Sequence, residues 1–371
     1  MNTCFSKSRL LGFILAAASS GGVLAQTAPI NVTTTATPFL RINPDARSGG
    51  MGDVGLATMP DAGSSLVNLA KTPYAKTSSA IGLSYTPWMK DVASDVYLAV
   101  LSGYHQLNDK QAIGASFRYF NVGDIQVEDY SGNKLQTARP REYSVDLGYG
   151  RKLSSAISLG LAFRYINSSL ASGYANGTTY KAATAFAADV SMYYHGLDEK
   201  GAGWTAGLAV TNLGSRIGYT NNTNDRNYLP ANLGAGVGYT FVADEVNEVT
   251  LSADVNKLLV PAIPMDSAGL VDYHTGSLVS SWSKSFNSGN YQVGVGAEYR
   301  YDKLLALRAG YHYGDKHEGN QSYFTAGFGL LYSSFTLNFS YLAPSGNGTT
   351  RNPLSNTLRF GVIFSLEKME K

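Results

Sequence analysis

The residues with the greatest capacity for chemistry are scattered rather than grouped. His105, His195, His274, His312 and His317 share no metal-ligand spacing, and the single cysteine, Cys4, stands at the extreme N-terminus. A zinc site needs three or four converging ligands. No Gly-x-Ser-x-Gly run marks a nucleophile on a strand-to-helix elbow. Asp146 and Asp189 are candidates for an acid pair, but nothing in their spacing fixes a glycosidase-like separation. Gly50-x-Gly52-x-x-Gly55 fits the dinucleotide fingerprint literally, yet that motif requires a preceding strand and a following helix in a βαβ unit. Neither is apparent, and tight backbone packing is the better reason for the glycines. The expectation is no catalysis, no cofactor and no metal.

The remaining ionisable residues are more informative. Arg118, Asp146, Arg164, Asp189, Asp254, Glu298, Arg300, Arg308 and Arg359 each fall in a segment where apolar and polar residues alternate, always on the polar side. Period-two alternation is the strand signal, because successive side chains leave a strand on opposite faces. Ile157, Leu159, Leu161, Phe163 and Tyr165 alternate with Ser158, Gly160 and Arg164. Similar runs lie near 113–119, 143–149, 183–194, 203–212, 231–241, 248–257, 290–301, 303–313, 322–332, 335–342 and 356–366. Weaker ones near 78–86 and 95–104 bring the count to fourteen. Each is about ten residues long, enough for a tilted strand to cross a bilayer.

Loop lengths separate a membrane barrel from a soluble sandwich. Connections after even-numbered strands are short, as at Asp302-Lys303 and Ser333-Ser334, whereas 123–140, 167–181, 213–229 and 258–289 are long. Short periplasmic turns opposite long extracellular loops are the usual asymmetry of outer-membrane barrels. An even strand count puts both ends of the barrel on one side, where the exported N-terminus is expected to remain. No window approaches 18 consecutive apolar residues, so spanning helices are excluded and a closed barrel is the remaining way to cross lipid.

The ends of the chain carry sorting information. Lys7 and Arg9, the apolar stretch Leu10 to Ala18 and Val23-Leu24-Ala25 read as a secretory signal peptide over 1–25. The chain has 29 basic and 27 acidic residues, and loss of Lys7 and Arg9 leaves it near neutral, with no basic stripe for nucleic acid. Arg359, Gly361, Phe364 and Leu366 match a polar-x-Gly-x-x-apolar-x-apolar pattern that resembles the insertion signal of outer-membrane barrels, followed by a tail at 367–371. The expected organisation is a flexible leader at 26–37, an N-terminal lumenal plug at 38–76 and an all-β, 14-stranded antiparallel transmembrane barrel at 77–366. Asp45 and Arg47 of the plug are expected to pair with lumenal charges such as Arg118, Asp146, Arg164 or Asp189. Fourteen strands would leave a leaking lumen without such a plug.

The plug stretch carries a family resemblance. Asn43, Pro44, Asp45, Arg47, Gly49, Gly50, Gly52 and Asp53, with Asp61-Ala62 and Asn68-Leu69-Ala70-Lys71 downstream, resemble the N-terminal segment of the PorV family, the barrel subunit of the type IX secretion system. They are more distantly similar to the hatch of FadL-type fatty-acid transporters. The stretches from Gly207 to Gly214 and from Asp254 to Pro261 are also similar to PorV, so the resemblance spans essentially the whole exported chain.

The resemblance implies an integral outer-membrane protein. It implies as partners a large outer-membrane translocon, cargo with C-terminal sorting domains, and a surface attachment complex. Loops 123–140, 258–289 and 343–354 are the expected docking surface. The alternatives are a FadL-type transporter of hydrophobic small molecules, and a purely structural barrel or a paralogue such as PorQ.

Overall fold

The computed structural model describes residues 33–88, 95–128, 134–170, 173–175, 178–264, 266–289, 291–315, 321–345 and 356–367. All belong to one compact unit, Val32–Lys371. The signal-peptide stretch, residues 26–32 of the leader and the tail from 368 lie outside them. No described helix is long and apolar enough to cross a membrane.

Fourteen antiparallel strands close into a barrel. They are β1 (Thr77–Pro87), β2 (Tyr97–Asn108), β3 (Gln111–Asn121), β6 (Arg141–Lys152), β7 (Ile157–Ser169), β10 (Ala183–Leu197) and β11 (Gly203–Gly214), then β12 (Asn232–Val242), β13 (Asn247–Leu258), β14 (Tyr291–Tyr301), β15 (Leu305–Gly314), β16 (Tyr323–Tyr332), β17 (Phe335–Pro344) and β18 (Leu358–Glu367). Each strand pairs with its neighbours in the chain, and β1 pairs with β18 from Thr77↔Glu367 to Tyr85↔Phe360. That seam leaves no free sheet edge. The intervening β4 (Ile125–Glu128) and β5 (Lys134–Ala138) form a hairpin inside one long loop, and β8 (Gly173–Ala175) and β9 (Thr178–Tyr180) form another.

Alternation becomes two chemically distinct walls. In β7, Leu159, Leu161 and Phe163 are exposed outward, while Ser158, Ala162 and Arg164 are buried. Phe163 is 64% exposed, Leu147 63% and Phe186 69%, far above what water tolerates as a continuous surface. Rings gather at the two rims of this band. On the long-loop side, Tyr85, Tyr97 and Tyr119 follow one another around the barrel, as do Phe117, Tyr143, Tyr165 and Phe186. At the short-turn rim, Trp204 meets Tyr239 and Phe335 meets Phe364. Two aromatic girdles flanking an aliphatic band are the signature of a wall that faces lipid. Phe163→Arg is therefore expected to cost about 2–4 kcal/mol, read from urea unfolding of protein folded into vesicles. An unchanged midpoint would mean that this face is not in hydrocarbon.

The short turns are built as the strand twist requires. Asp302 and Lys303 both have positive φ, 49° and 53°, the arrangement of mirror-image hairpin turns. Opposite them, the long connections carry structure of their own. Helices Ser267–Thr275 and Leu278–Lys284 lie between β13 and β14, where the sequence suggested only a loop. They pack through Tyr273 and Leu278 on Tyr228, Leu258 and Val260.

One expectation is reversed. Thr33, Ala36 and Thr37 are buried, and the Ala36 N–H donates to the Tyr228 carbonyl at 3.0 Å, in the loop between β11 and β12. Phe39 stacks on Phe120 near the long-loop end of β3, with ring centroids 6.1 Å apart. The described chain therefore begins at the long-loop mouth, not on the short-turn side where β1 starts. Burial of apolar Ala36, Phe39, Leu40 and Ile42 against Leu98, Ile166 and Leu229 holds it there and leaves 33–37 ordered. A cysteine placed at exposed Thr34 should react with a membrane-impermeant maleimide on intact cells. Labelling that required permeabilisation would overturn this topology.

Candidate functional site in the barrel interior

Residues 38–76 lie against the inward faces of the strands. Where their backbone passes, the wall lacks side chains. A Cβ on Gly207 would meet the Leu56 carbonyl, one on Gly296 the Met51 carbonyl, and one on Gly310 the Gly52 amide. Gly52 itself has φ +70°, a left-handed conformation that glycine adopts at no steric cost. Many of the glycines that make this composition unusual are therefore points of close approach between the segment and the wall.

After a first turn at Pro38–Arg41, the segment forms a helical turn, Ala46–Gly49, capped by Asp45, whose carboxylate accepts from the Arg47 and Ser48 amides and the Ser48 hydroxyl. Asn43 in turn accepts from the Asp45 amide at 3.1 Å. Asp45 is thus consumed locally. Arg47 forms a two-bond pair with Glu298, Nε to Oε2 at 3.0 Å and Nη2 to Oε1 at 2.9 Å, and its Nη1 reaches Asp61 at 2.9 Å. Arg47 thus pairs with a wall charge, Glu298 of β14, rather than with Arg118, Asp146, Arg164 or Asp189, because the chain turns toward β14 before it reaches β6, β7 and β10.

Four polar knots tie segment and wall together. In the first, Glu298 also accepts from Arg308 Nε at 2.7 Å and from Arg300 Nη2 at 2.7 Å, and Arg300 pairs with Glu248. In the second, Arg359 and Tyr323 bond to Asp53 of the segment, and the Gly52 amide donates to Thr325 at 2.8 Å. Burial pushes the Asp53 carboxyl up, but Arg359 outweighs it and holds the group below its usual range. In the third, one oxygen of Asp254 accepts the Gly55 and Leu56 amides at 2.7 and 2.9 Å. Lys71 Nζ donates to the Gly55 carbonyl at 2.7 Å, and Asn68 holds the Leu56 carbonyl at 2.9 Å.

The fourth lies within the wall. Arg164 bonds Asp146, Asp189 and Asn212. Asn212, at φ 57°, sits in a bulge between β10 and β11 and gives its amide to Asp189 at 2.6 Å. The bulge re-aims Asn212 toward Arg164. Arg118 lies 4.0 Å from Asp146 and donates to the Leu66 carbonyl at 3.1 Å.

Of the other charges and motif residues, Gly49 lies under Arg359 and Gly50 under Gly327 and Arg308, while Pro44 lines a cavity. In β18, Arg359 and Gly361 face inward and Phe364 and Leu366 outward. Inward Glu142 and Glu248 were missed by the sequence reading, although they share the parity of Asp146 and Asp254, which it placed on the polar face. The described histidines remain apart: His105 meets Ser79, His195 stacks on Tyr74, His274 meets the Arg226 carbonyl and His312 stacks on Tyr323. His317 lies outside the described residues.

Lys71 gives the interior a pH response. Burial pushes its ammonium from 10.5 down to about 8, and Asp61, Asp45 and Asp254 offset only part of that shift. Between about pH 8 and 10.5 the unfolded chain holds a proton that the folded one has released, so this group makes stability rise with pH across that window. The urea midpoint of the wild type should climb more steeply from pH 8 to 10 than that of Lys71→Met. Equal slopes would place the Lys71 proton outside the folding equilibrium.

A cavity of about 290 Å³ lies between residues 38–67 and the long-loop ends of the strands. A second, of about 190 Å³, lies below Arg47 and is lined by Asp61, Lys76, Tyr104, Arg300 and Arg308.

Comparison with known proteins completes the description. The profile of the family described as type IX secretion system protein PorV matches residues 25–266, more than half of the chain. The chain belongs to the PorV family. The match ends within the β13–β14 loop, short of the whole-chain extent expected from the motifs, so β14 to β18 of this PorV-family barrel rest on structural likeness.

The toluene transporter TbuX of Ralstonia pickettii superposes with a TM-score of 0.53 at 11% identity, over 87% of this chain and 97% of that one. CymD, a monoaromatic hydrocarbon channel, gives 0.55 at 12% over 87% and 97%, and the Pseudomonas putida toluene transporter TodX 0.53 at 13% over 87% and 98%. At such identities the likeness speaks for the fold alone, a closed antiparallel barrel. Among curated proteins none is similar enough to match. Family and fold together make this PorV-family chain an outer-membrane component of the type IX secretion system.

Proposed function

We propose that this PorV-family barrel receives folded cargo bearing C-terminal sorting domains from the large outer-membrane translocon and passes it to the surface attachment complex, without catalysis. In this reading residues 38–76 serve as a plug, the inward charges hold it, and Arg359, Gly361, Phe364 and Leu366 form the insertion signal. The observation that carries the reading, beside the family match, is the anchoring of the segment to the wall by buried ion pairs on Glu298 and Arg359. An interior tied together in this way suits a scaffold better than a conduit for folded protein.

The long-loop face offers the docking surface. Arg216 lies over the Tyr228 ring at 4.4 Å and donates to the Gly276 carbonyl at 2.8 Å, which fixes the helical loop 259–289 on the loop 215–231. Val271, Val279 and Phe286 are left exposed on it, at 56%, 65% and 53%. Of the third expected docking loop, residues 346–354 lie outside the described structure. The test is a deletion strain: cargo trapped in the periplasm is expected, and normal surface display of cargo would reject the reading. A pull-down from detergent should bring down a much larger membrane protein.

A second reading, transport of hydrophobic small molecules, is favoured by the cavity and by what the structural neighbours are named for. It predicts defective uptake with normal secretion in the same strain.

A further inference from the structure

The cavity on the long-loop side of residues 38–67 has two unlike walls. Leu40, Ile42, Leu56, Val67, Trp88 and Phe120 form an apolar one. Polar groups form the other, and their partners decide what the cavity suits. The charged ones are engaged: Asp53 with Arg359 and Tyr323, Asp254 with the Gly55 and Leu56 amides, Arg118 with the Leu40 and Leu66 carbonyls, and Arg41 is engaged as well, while His312 stacks on Tyr323. Asn212 is also engaged, with Arg164 and the Pro230 carbonyl. What remains are neutral amides. Gln292 and Gln321 line the cavity, and among the described residues their side chains bond to no protein group. Asn43 and Asn256 use only their oxygens, toward the Asp45 amide and Asn232.

Each class of occupant can be weighed against that inventory. A hydrocarbon would leave several amides without partners in a desolvated space, which is costly. An anion or cation would find no free counter-charge. A peptide strand usually binds by extending a sheet edge, and a closed barrel has none. A neutral, hydroxyl-rich ring satisfies both walls, its hydroxyls against the amides and its C–H face against Trp88. We infer that this cavity binds a neutral saccharide. Ligand sites span about 300–1,000 Å³, so a volume of about 290 Å³ limits the occupant to one or two rings.

Trp88 is a built-in reporter. The mature chain is purified in a sugar-free amine-oxide detergent, since maltoside detergents would compete, and titrated with methyl glucoside, methyl galactoside, methyl mannoside and maltose. At least one should give a saturable fluorescence change that disappears in Trp88→Phe while Trp204 and Trp282 remain. Gln292→Leu should weaken that sugar roughly tenfold or more, with heat-modifiable gel mobility verifying that the barrel is folded. Toluene and N-acetyl-trialanine amide are the competing probes. The inference fails if no sugar in the panel acts at millimolar concentration, if toluene or the peptide acts in place of the sugars, or if folded Gln292→Leu binds as well as the parent.

Discussion

Glu298→Gln is expected to destabilise the folded barrel by about 3–5 kcal/mol, the usual consequence of removing one partner from a buried ionic cluster. Glu298 is 1% exposed and accepts four bonds from three guanidinium groups, those of Arg47, Arg300 and Arg308. Glutamine keeps the shape, removes the charge and turns an N–H₂ group toward donors. Three cations would then face one another with only Asp61 and Glu248 left to offset them. Urea unfolding in vesicles measures the loss. Conductance in planar bilayers should rise at the same time, because the Arg47 anchor of the interior segment is released.

Glu248→Gln is the matched control. Glu248 is partly exposed and bonds Arg300 alone at 3.2 Å, so its loss should cost under about 1 kcal/mol. Equal effects of the two substitutions would show that the cluster does not anchor the segment.

Gly52→Val should cost about 2–6 kcal/mol through two separable effects. A β-branched residue at φ +70° is strained by about 1–3 kcal/mol. A Cβ there would also sit 2.6 Å from the carbonyl oxygens of Val295 and Tyr311, backbone atoms that cannot rotate away. Displacing the segment to relieve that contact adds about 1–3 kcal/mol. Gly201→Val isolates the first effect, since Gly201 has φ +89° but nothing within 4 Å of an added Cβ. If both variants lose the same stability, the close approach of segment and wall has no energetic weight.

The barrel was legible in the sequence because lipid and lumen impose opposite demands on alternate residues. That pattern repeats in every strand, so small errors at strand ends do not disturb it. The contents of the long loops were not legible. Ser267–Thr275 and Leu278–Lys284 are too short to be stable alone and owe their form to packing on Tyr228, Leu258 and Val260. Inward charges could be recognised from parity, but not matched to partners. Arg47 and Glu298 are 251 residues apart, and their meeting depends on where the chain turns inside the barrel. One local signal was overlooked: Asp45, three residues before Ser48, is a helix cap, and a capping carboxylate is not free to join a distant pair.

Ala36 is tied to Tyr228 at one mouth, and Thr77 begins β1 at the other, opposite Glu367 of β18. The N-terminal segment therefore runs lengthwise through a ring whose first and last strands are bonded to each other. A ring completed while vacant would have to admit that segment by its end, and until then would hold Arg359 and Asp254 without the partners the segment supplies. Assembly more simply runs the other way, with the early residues gathered first, the wall wrapped round them, and β1 and β18 joined last.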